Sequence, residues 1–158
     1  LFVQAFSKQS ILFPEKRVSD REWMTNIIQL RSMLARCSFC GEETFIEPDL
    51  QDQTCIDCER AISKPMVLKI GTYRIPLFEG QKIYNVHLPI DGDINAVVGE
   101  VVSNTVSGKL GIKNYSSFTW QAVDPIGTVH NVQPESGMPI KNEMGIKFKM
   151  GIKGLIVR

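Results

Sequence analysis

The spacing of hydrophobic positions changes along the chain and divides it into three stretches. Residues 1–36 carry a helical period. Ser19-Asp20-Arg21-Glu22 forms a capping box, in which the Ser19 hydroxyl and the Glu22 carboxylate each satisfy a backbone N–H left free at a helix start. From there Trp23, Ile27, Leu30 and Leu34 recur at steps of four, three and four. This spacing predicts a helix beginning at Ser19 that buries one stripe, with Trp23 and Phe6 as core residues. The run Leu1-Phe2-Val3-Gln4-Ala5-Phe6 reads as the end of an earlier helix, kept separate by Pro14. Residues 37–64 are poor in apolar positions and dense in acids.

From residue 65 the grammar turns to β. Short apolar runs alternate with Gly, Pro, Asn and Asp every eight to twelve residues, the spacing of a sandwich or barrel. The expected strands are Met66–Ile70, Tyr73–Leu77, Lys82–Val86, Ala96–Val102, Leu110–Lys113, Thr119–Val123, Thr128–Val132, Ile146–Met150 and Gly154–Val157. Alternation is cleanest at residues 146–153. There Ile146, Phe148, Met150 and Ile152 should face inward, and Lys147, Lys149 and Lys153 should face water. Gly-Ile-Lys recurs at 111, 145 and 151 without a common period, so these triplets read as strand starts rather than as a repeat.

The expected fold is therefore mainly β with N-terminal helices: a helical segment over 1–36, a small cysteine-bearing ribbon over 37–64 and a β-sandwich over 65–158. Of 158 residues, 43% are apolar, enough for a packed core. The net charge of +1 gives no general pull toward nucleic acid or anionic membrane. No apolar run of spanning length and no secretion signal occurs, so the expectation is a soluble, cytoplasmic protein. The chain enters an apolar pattern directly at Leu1, as expected of a piece of something longer.

All four cysteines lie in the middle stretch, as Cys37-Ser38-Phe39-Cys40 and Cys55-Ile56-Asp57-Cys58 with 14 residues between the pairs. Two such knuckles bring four thiolates to one point, as tetrahedral zinc requires, and Gly41 relieves the first turn. Two disulfides, a redox pair or an iron–sulfur cluster are the competing readings. With no secretion signal and both pairs present, one structural Zn2+ on Cys37, Cys40, Cys55 and Cys58 is expected, four sulfurs leaving no open position for water. Residues 37–60 carry about −6 before any metal, which disfavours nucleic-acid binding through the ribbon. Lys141, Lys147, Lys149, Lys153 and Arg158 could form a basic stripe, read here as a solvated strand face.

Catalysis finds little footing. His87 and His130 lie in unrelated contexts, there is no nucleophile motif or Gly-rich phosphate loop, and Asp91-Gly92-Asp93 reads as a turn because no later acidic ligand follows. The expectation is a chain that is not an enzyme.

Two resemblances cover different parts. Ala5-Phe6-Ser7, Lys16-Arg17-Val18-Ser19, Glu22-Trp23 and Ile27 to Leu30 resemble the end of a protein kinase C-lobe, with Val18 where that pattern prefers Pro. The resemblance implies that Arg17 is the Arg that pairs with the Glu of the activation segment. The succession of such a tail, a Cys-x-x-Cys ribbon and a β domain is similar to a group of bacterial serine/threonine kinases. That likeness implies association with a metal-dependent protein phosphatase and a von Willebrand A protein. Kinase catalytic motifs are absent from this sequence, so the chain would be a regulatory region of such an enzyme.

The β domain resembles a divergent forkhead-associated sandwich. Tyr73–Gln81 is similar to its first hairpin, Leu110–Ser117 to its "L.I.NLSS" strand and turn, and Val132–Ile156 to its closing strands. The family reads phosphothreonine with an Arg, a Ser and an Asn, and the corresponding places here hold Gln81, Asn95 and Thr119. Without its Arg a phosphate loses its strongest bidentate partner. The resemblance therefore implies a sandwich that binds a partner or substrate protein without phosphothreonine recognition, the partner being the kinase domain of the same polypeptide, the phosphatase or the von Willebrand A protein. A phosphopeptide reader using Lys82 or Lys109 is the alternative, with Ser116 and Ser117 among the candidate contacts, and a nucleic-acid-binding module is a weaker one.

Overall fold

The computed structural model describes residues 1–88 and 90–158, with the side chain of Met150 outside that description. The chain separates into two compact units, Leu1–Arg31 and Ser32–Arg158. No helix among the described residues is long and apolar enough to cross a membrane.

The first unit holds α1 (Phe2–Ala5), α2 (Lys8–Leu12), a single 3-10 turn at Pro14–Lys16 and α3 (Asp20–Arg31). Ser7 caps α2 by accepting the Ser10 N–H, and the buried Ser10 hydroxyl reaches the carbonyls of Gln4 and Lys16. Arg17 Nε donates to the Ser10 carbonyl at 3.3 Å. The capping box forms as the sequence predicts: the Ser19 N–H donates to Glu22 Oε2 at 2.7 Å, and the Glu22 N–H donates to Ser19 Oγ at 3.3 Å. The Ser19 backbone and hydroxyl together hold the Glu22 carboxyl below its ordinary range.

The expected stripe fares differently. Trp23 is half-buried with its ring edge-on to Phe2 at 5.1 Å, Ile27 and Leu30 are exposed, and Ile28 is the buried apolar residue of α3. Phe6, expected in a core, is 73% exposed. Leu34, the fourth member of the stripe, does not belong to the helix. Helix α3 stops at Arg31 and Leu34–Arg36 forms strand β1, because pairing with β2 (Glu43–Phe45) buries Ala35 completely.

Among the described residues, the second unit contains that β1–β2 hairpin and a ten-stranded sandwich. One sheet has six strands in the order β4 (Tyr73–Pro76), β3 (Val67–Ile70), β12 (Lys153–Val157), β11 (Gly145–Lys147), β8 (Trp120–Val123) and β9 (Val129–Val132). The other has four, in the order β10 (Gly137–Pro139), β7 (Leu110–Asn114), β6 (Val97–Ser103) and β5 (Lys82–Tyr84). Every named pairing is antiparallel, as expected for a chain whose strands are joined by short turns. Both sheets supply the core. Leu68, Ile75, Trp120, Ile146 and Ile156 of the first meet Ile83, Val101, Ile112 and Met138 of the second.

Residues 146–153 keep the predicted alternation of burial for the described side chains, but not as one strand. A 3-10 turn at Lys149–Gly151, with Gly151 at φ +78°, folds the segment into a hairpin of β11 and β12. The expected facing of Met150 lies outside the described side chains.

Two polar clusters are sealed inside this unit. Asn114 is fully buried. Its amide donates to the carbonyls of Phe118 and Val132, and its Oδ1 accepts the Ser116 N–H and hydroxyl. The Trp120 indole N–H donates to Ser116 Oγ at 3.0 Å, tying the loop at 115–119 to the core aromatic.

His87, in a 3-10 turn at Asn85–His87, is 1% exposed. Its Nδ1 accepts the Tyr84 N–H at 3.0 Å, which leaves the proton of the neutral ring on Nε2, 3.3 Å from Ser32 Oγ. Desolvation lowers its pKa from 6.5 to about 4. As pH falls, the unfolded chain therefore takes up the proton first. The neutral ring's contribution is intact above about pH 6.5 and is lost as pH falls through that window, reaching about 3 kcal/mol below pH 4. Urea unfolding at pH 7 and pH 4.5 checks this. The wild type should lose about 2–3 kcal/mol more than a His87→Gln variant, which cannot titrate.

Candidate metal centre

The β1–β2 hairpin and the segment after it present the four cysteines. The first knuckle turns between the hairpin strands: the Cys37 N–H donates to the Glu42 carbonyl at 2.8 Å, and the Gly41 N–H to the Cys37 carbonyl at 3.0 Å. The second knuckle repeats this geometry, with the Cys55 N–H on the Arg60 carbonyl at 2.8 Å and the Glu59 N–H on the Cys55 carbonyl at 3.0 Å. A bridge between Thr54 and Ala61 closes its base. The four sulfurs of Cys37, Cys40, Cys55 and Cys58 lie within 4.8 Å of one another, all four cysteines are free thiols, and the set could hold a metal ion.

Each knuckle aims backbone dipoles at its first sulfur. The N–H groups of Cys40 and Phe39 point to Cys37, and those of Cys58 and Asp57 point to Cys55. These donors favour the thiolate: Cys37 is lowered, and Cys55 is lowered to about 6. Cys40 receives the Glu42 N–H, yet desolvation and the neighbouring sulfurs outweigh that donor and push it up to about 12. Cys58 is likewise raised, burial and the sulfurs of Cys37 and Cys55 outweighing the Arg60 N–H. Four negative sulfurs at this spacing repel one another, so complete ionisation calls for a cation among them.

The two knuckles are also fastened to each other. Thr44 of β2 places Oγ1 3.7 Å from Cys55 Sγ and accepts the Ile56 N–H at 3.1 Å. The Arg60 guanidinium stacks on the Phe39 ring, 3.0 Å from its centroid. Gly41 and Glu59 occupy equivalent positions with φ of +80° and +56°, so the second knuckle places a non-glycine residue in the left-handed region. Sequence reasoning found Gly41 but not Thr44, Glu59 or Arg60. Aligning Cys37–Glu42 with Cys55–Arg60 would have exposed the last two, whereas Thr44 depends on tertiary folding.

The residues singled out in the sandwich do not form one group. Asn95, in the loop before β6, and Thr119, in the loop after β7, lie toward one end of the four-stranded sheet, where the Tyr115 N–H bonds the Val98 carbonyl at 2.9 Å. Thr119 Oγ1 donates to Gln133 Oε1 at 2.7 Å, and the Asn95 N–H donates to Asp93 Oδ1. Gln81 sits further along, its carbonyl accepting the Val101 N–H mid-strand. Lys82 lies directly opposite Glu100, and Lys109 lies at the far turn joining β6 to β7. Ser117 is exposed, but Ser116 is buried with its hydroxyl committed to Asn114, Phe118 and Trp120. His130 pairs with Asp124 at 3.6 Å, remote in sequence and role from His87.

No protein-family model, curated protein or solved structure matches this chain.

Proposed function

We propose that the chain is a noncatalytic regulatory and protein-interaction region of a bacterial serine/threonine kinase, in which a structural Zn2+ holds the ribbon and the sandwich binds a partner protein. The observation that supports the metal is the closed set of four sulfurs within 4.8 Å of one another: soft thiolates favour zinc, and four of them fill a tetrahedral shell, leaving no open position for water or substrate. Such a centre supplies folding energy and rigidity rather than chemistry.

The sandwich reading draws on the forkhead-associated resemblance. The segment similar to that family's first hairpin, Tyr73–Gln81, holds a single strand, β4, whose partner β3 precedes it, so the hairpin itself spans Val67–Pro76; the segment similar to the family's strand and turn covers β7 and the loop after it, and the closing segment ends in the β11–β12 hairpin. Asn95 and Thr119 fall in loops toward one end, as a recognition surface built on loops would have them. Gln81, standing where that family uses Arg, is neither a cation nor at that end, and this favours partner binding without a phosphothreonine pocket. The kinase reading is supported by the first unit, which leaves Phe2, Phe6, Ile11, Leu12, Ile27 and Leu30 exposed, as the closing helices of a larger core would when seen apart from it.

The test is a calorimetric titration of the chain with matched phosphothreonine and unmodified peptides from the activation segment of its own kinase. Failure of both peptides to bind, together with co-purification of the kinase domain or its associated phosphatase, is the expected result. Selective binding of the phosphorylated peptide overturns the partner-only reading in favour of a phosphopeptide reader.

A further inference from the structure

The two sheets of the sandwich treat charge in opposite ways. On the outer face of the four-stranded sheet, cations and anions alternate across strands: Lys82 lies opposite Glu100, Glu100 opposite Lys113, and Lys113 Nζ bonds Glu135 at 2.8 Å. Such opposite-charge pairs stabilise a sheet, while like charges directly opposite weaken it. The outer face of the six-stranded sheet does the reverse. Lys147 stands directly opposite Lys153 across β11 and β12, and Lys69 directly opposite Arg74 across β3 and β4. Leu155, the neighbour of Lys69 across β12, is 45% exposed between the two pairs.

Every outward position of β3, β4, β8, β9, β11 and β12 is either a cation or uncharged, and no carboxylate among the described residues bridges to these four cations. Lys147 facing Lys153, and Lys69 facing Arg74, whose guanidinium also donates to the Gly71 and Tyr73 carbonyls, leave this face net positive, whereas the opposite face pairs its cations with carboxylates.

The chain itself carries a surface of the complementary kind. The ribbon's Glu42, Glu43, Glu47, Asp49, Asp52, Asp57 and Glu59 are all exposed, and with Arg60 they give about −6 over residues 37–60. A bound divalent metal with four thiolates would deepen this by about −2. Exposed Phe45 and Ile56 lie among these acids, as Leu155 lies among the lysines, so each surface has an apolar contact inside a charged surround.

We propose that the outer face of the six-stranded sheet docks the acidic ribbon of a second copy of this chain, giving a head-to-tail, salt-sensitive association. The face spans six strands about 4.8 Å apart but is only a few residues tall, so it buries less than the roughly 1,000 Å² that a permanent interface needs. The contact is accordingly weak and transient, and because the two patches differ it is heterologous and builds open chains or rings instead of a two-fold dimer.

Sedimentation velocity on the metal-loaded full chain tests this across a concentration series at about 25 mM and about 300 mM salt, where screening lengths differ several-fold. The expected result is concentration-dependent association at low salt that disappears at high salt. Lys153→Glu should abolish it while holding or slightly raising the melting temperature, since Lys147 gains an opposite charge across the strand; a merely structural lysine would not separate these readouts. Glu43→Lys with Glu47→Lys should also give a monomer, and mixing it with a Lys147→Glu, Lys153→Glu chain should restore association. A monomer at every concentration in low salt, association that survives Lys153→Glu, or capture of duplex DNA by this face in place of a second copy would each overturn the proposal. The peptide titration above is independent of these outcomes, so a failure here leaves the partner reading standing and the reverse also holds.

Discussion

Stripping the proposed Zn2+ from the four cysteines should unfold the ribbon and leave the sandwich intact. Native mass spectrometry of the purified protein should find one zinc per chain, released by a chelator under conditions where the far-UV signature of the β domain persists. The separation follows from where the packing lies. Residues 37–64 place only Cys37, Thr44, Ile46, Pro48 and Cys55 below the surface, too little apolar area to offset the entropy of ordering the segment. Structural zinc sites contribute on the order of 10 kcal/mol, more than this segment gains otherwise. The sandwich, by contrast, holds a core supplied by both sheets.

Cys55→Ser should act more severely than Cys40→Ser. Cys55 is buried, receives two backbone N–H groups and touches Thr44, whereas Cys40 is exposed at the rim. Limited proteolysis should then cut between residues 37 and 60 in the metal-free or Cys55→Ser chain, while the fragment from about residue 65 onward survives. A chain that contains no zinc when purified under reducing conditions, yet protects this segment from protease, would refute the metal centre.

Strand periods, the capping box at Ser19 and the cysteine spacing are local properties, and each of the nine expected sandwich strands appears within a few residues of its predicted place. Strand β10 at Gly137–Pro139 went unseen because three residues around a buried Met138 carry no period. Helix α3 ends before the stripe does: Leu34 continues the 3.6-residue period, but its fate is decided by pairing with Phe45, a contact that the helical period does not encode. The like-charge pairs were equally hidden. Lys147 and Lys153 were visible as a lysine strand, but Lys69 opposite Arg74 follows only from register. At the metal centre the four ligands were legible from spacing alone, and the Thr44, Glu59 and Arg60 supports were not, since they arise when the two knuckles meet.

Trp120→Ala should be the most damaging single substitution in the sandwich, costing about 3–5 kcal/mol in denaturant unfolding. Trp120 is fully buried on β8, the strand next to the β9 edge of the six-stranded sheet, its ring edge-on to Phe148 at 5.1 Å. On the opposite side it reaches the four-stranded sheet so closely that a Cβ placed on Gly99 would stand 2.7 Å from the tip of the indole. One side chain thus spans the gap between the sheets, and truncating it leaves a cavity that neither sheet can collapse into without breaking its ladder. The substitution also takes the indole N–H from Ser116 Oγ, loosening the Asn114 cluster that fixes the loop carrying Ser117 and Thr119. Trp120→Phe separates the two contributions. It keeps most of the ring volume while losing the hydrogen bond, and should cost about 1–2 kcal/mol. Gly99→Ala probes the same contact from the other sheet, because the added methyl group must displace the indole, and it should be destabilising by about 1–3 kcal/mol. If Trp120→Ala unfolds at the same denaturant midpoint as the wild type, the two sheets are not held together through this residue, and the packing of the sandwich described above is wrong at its centre.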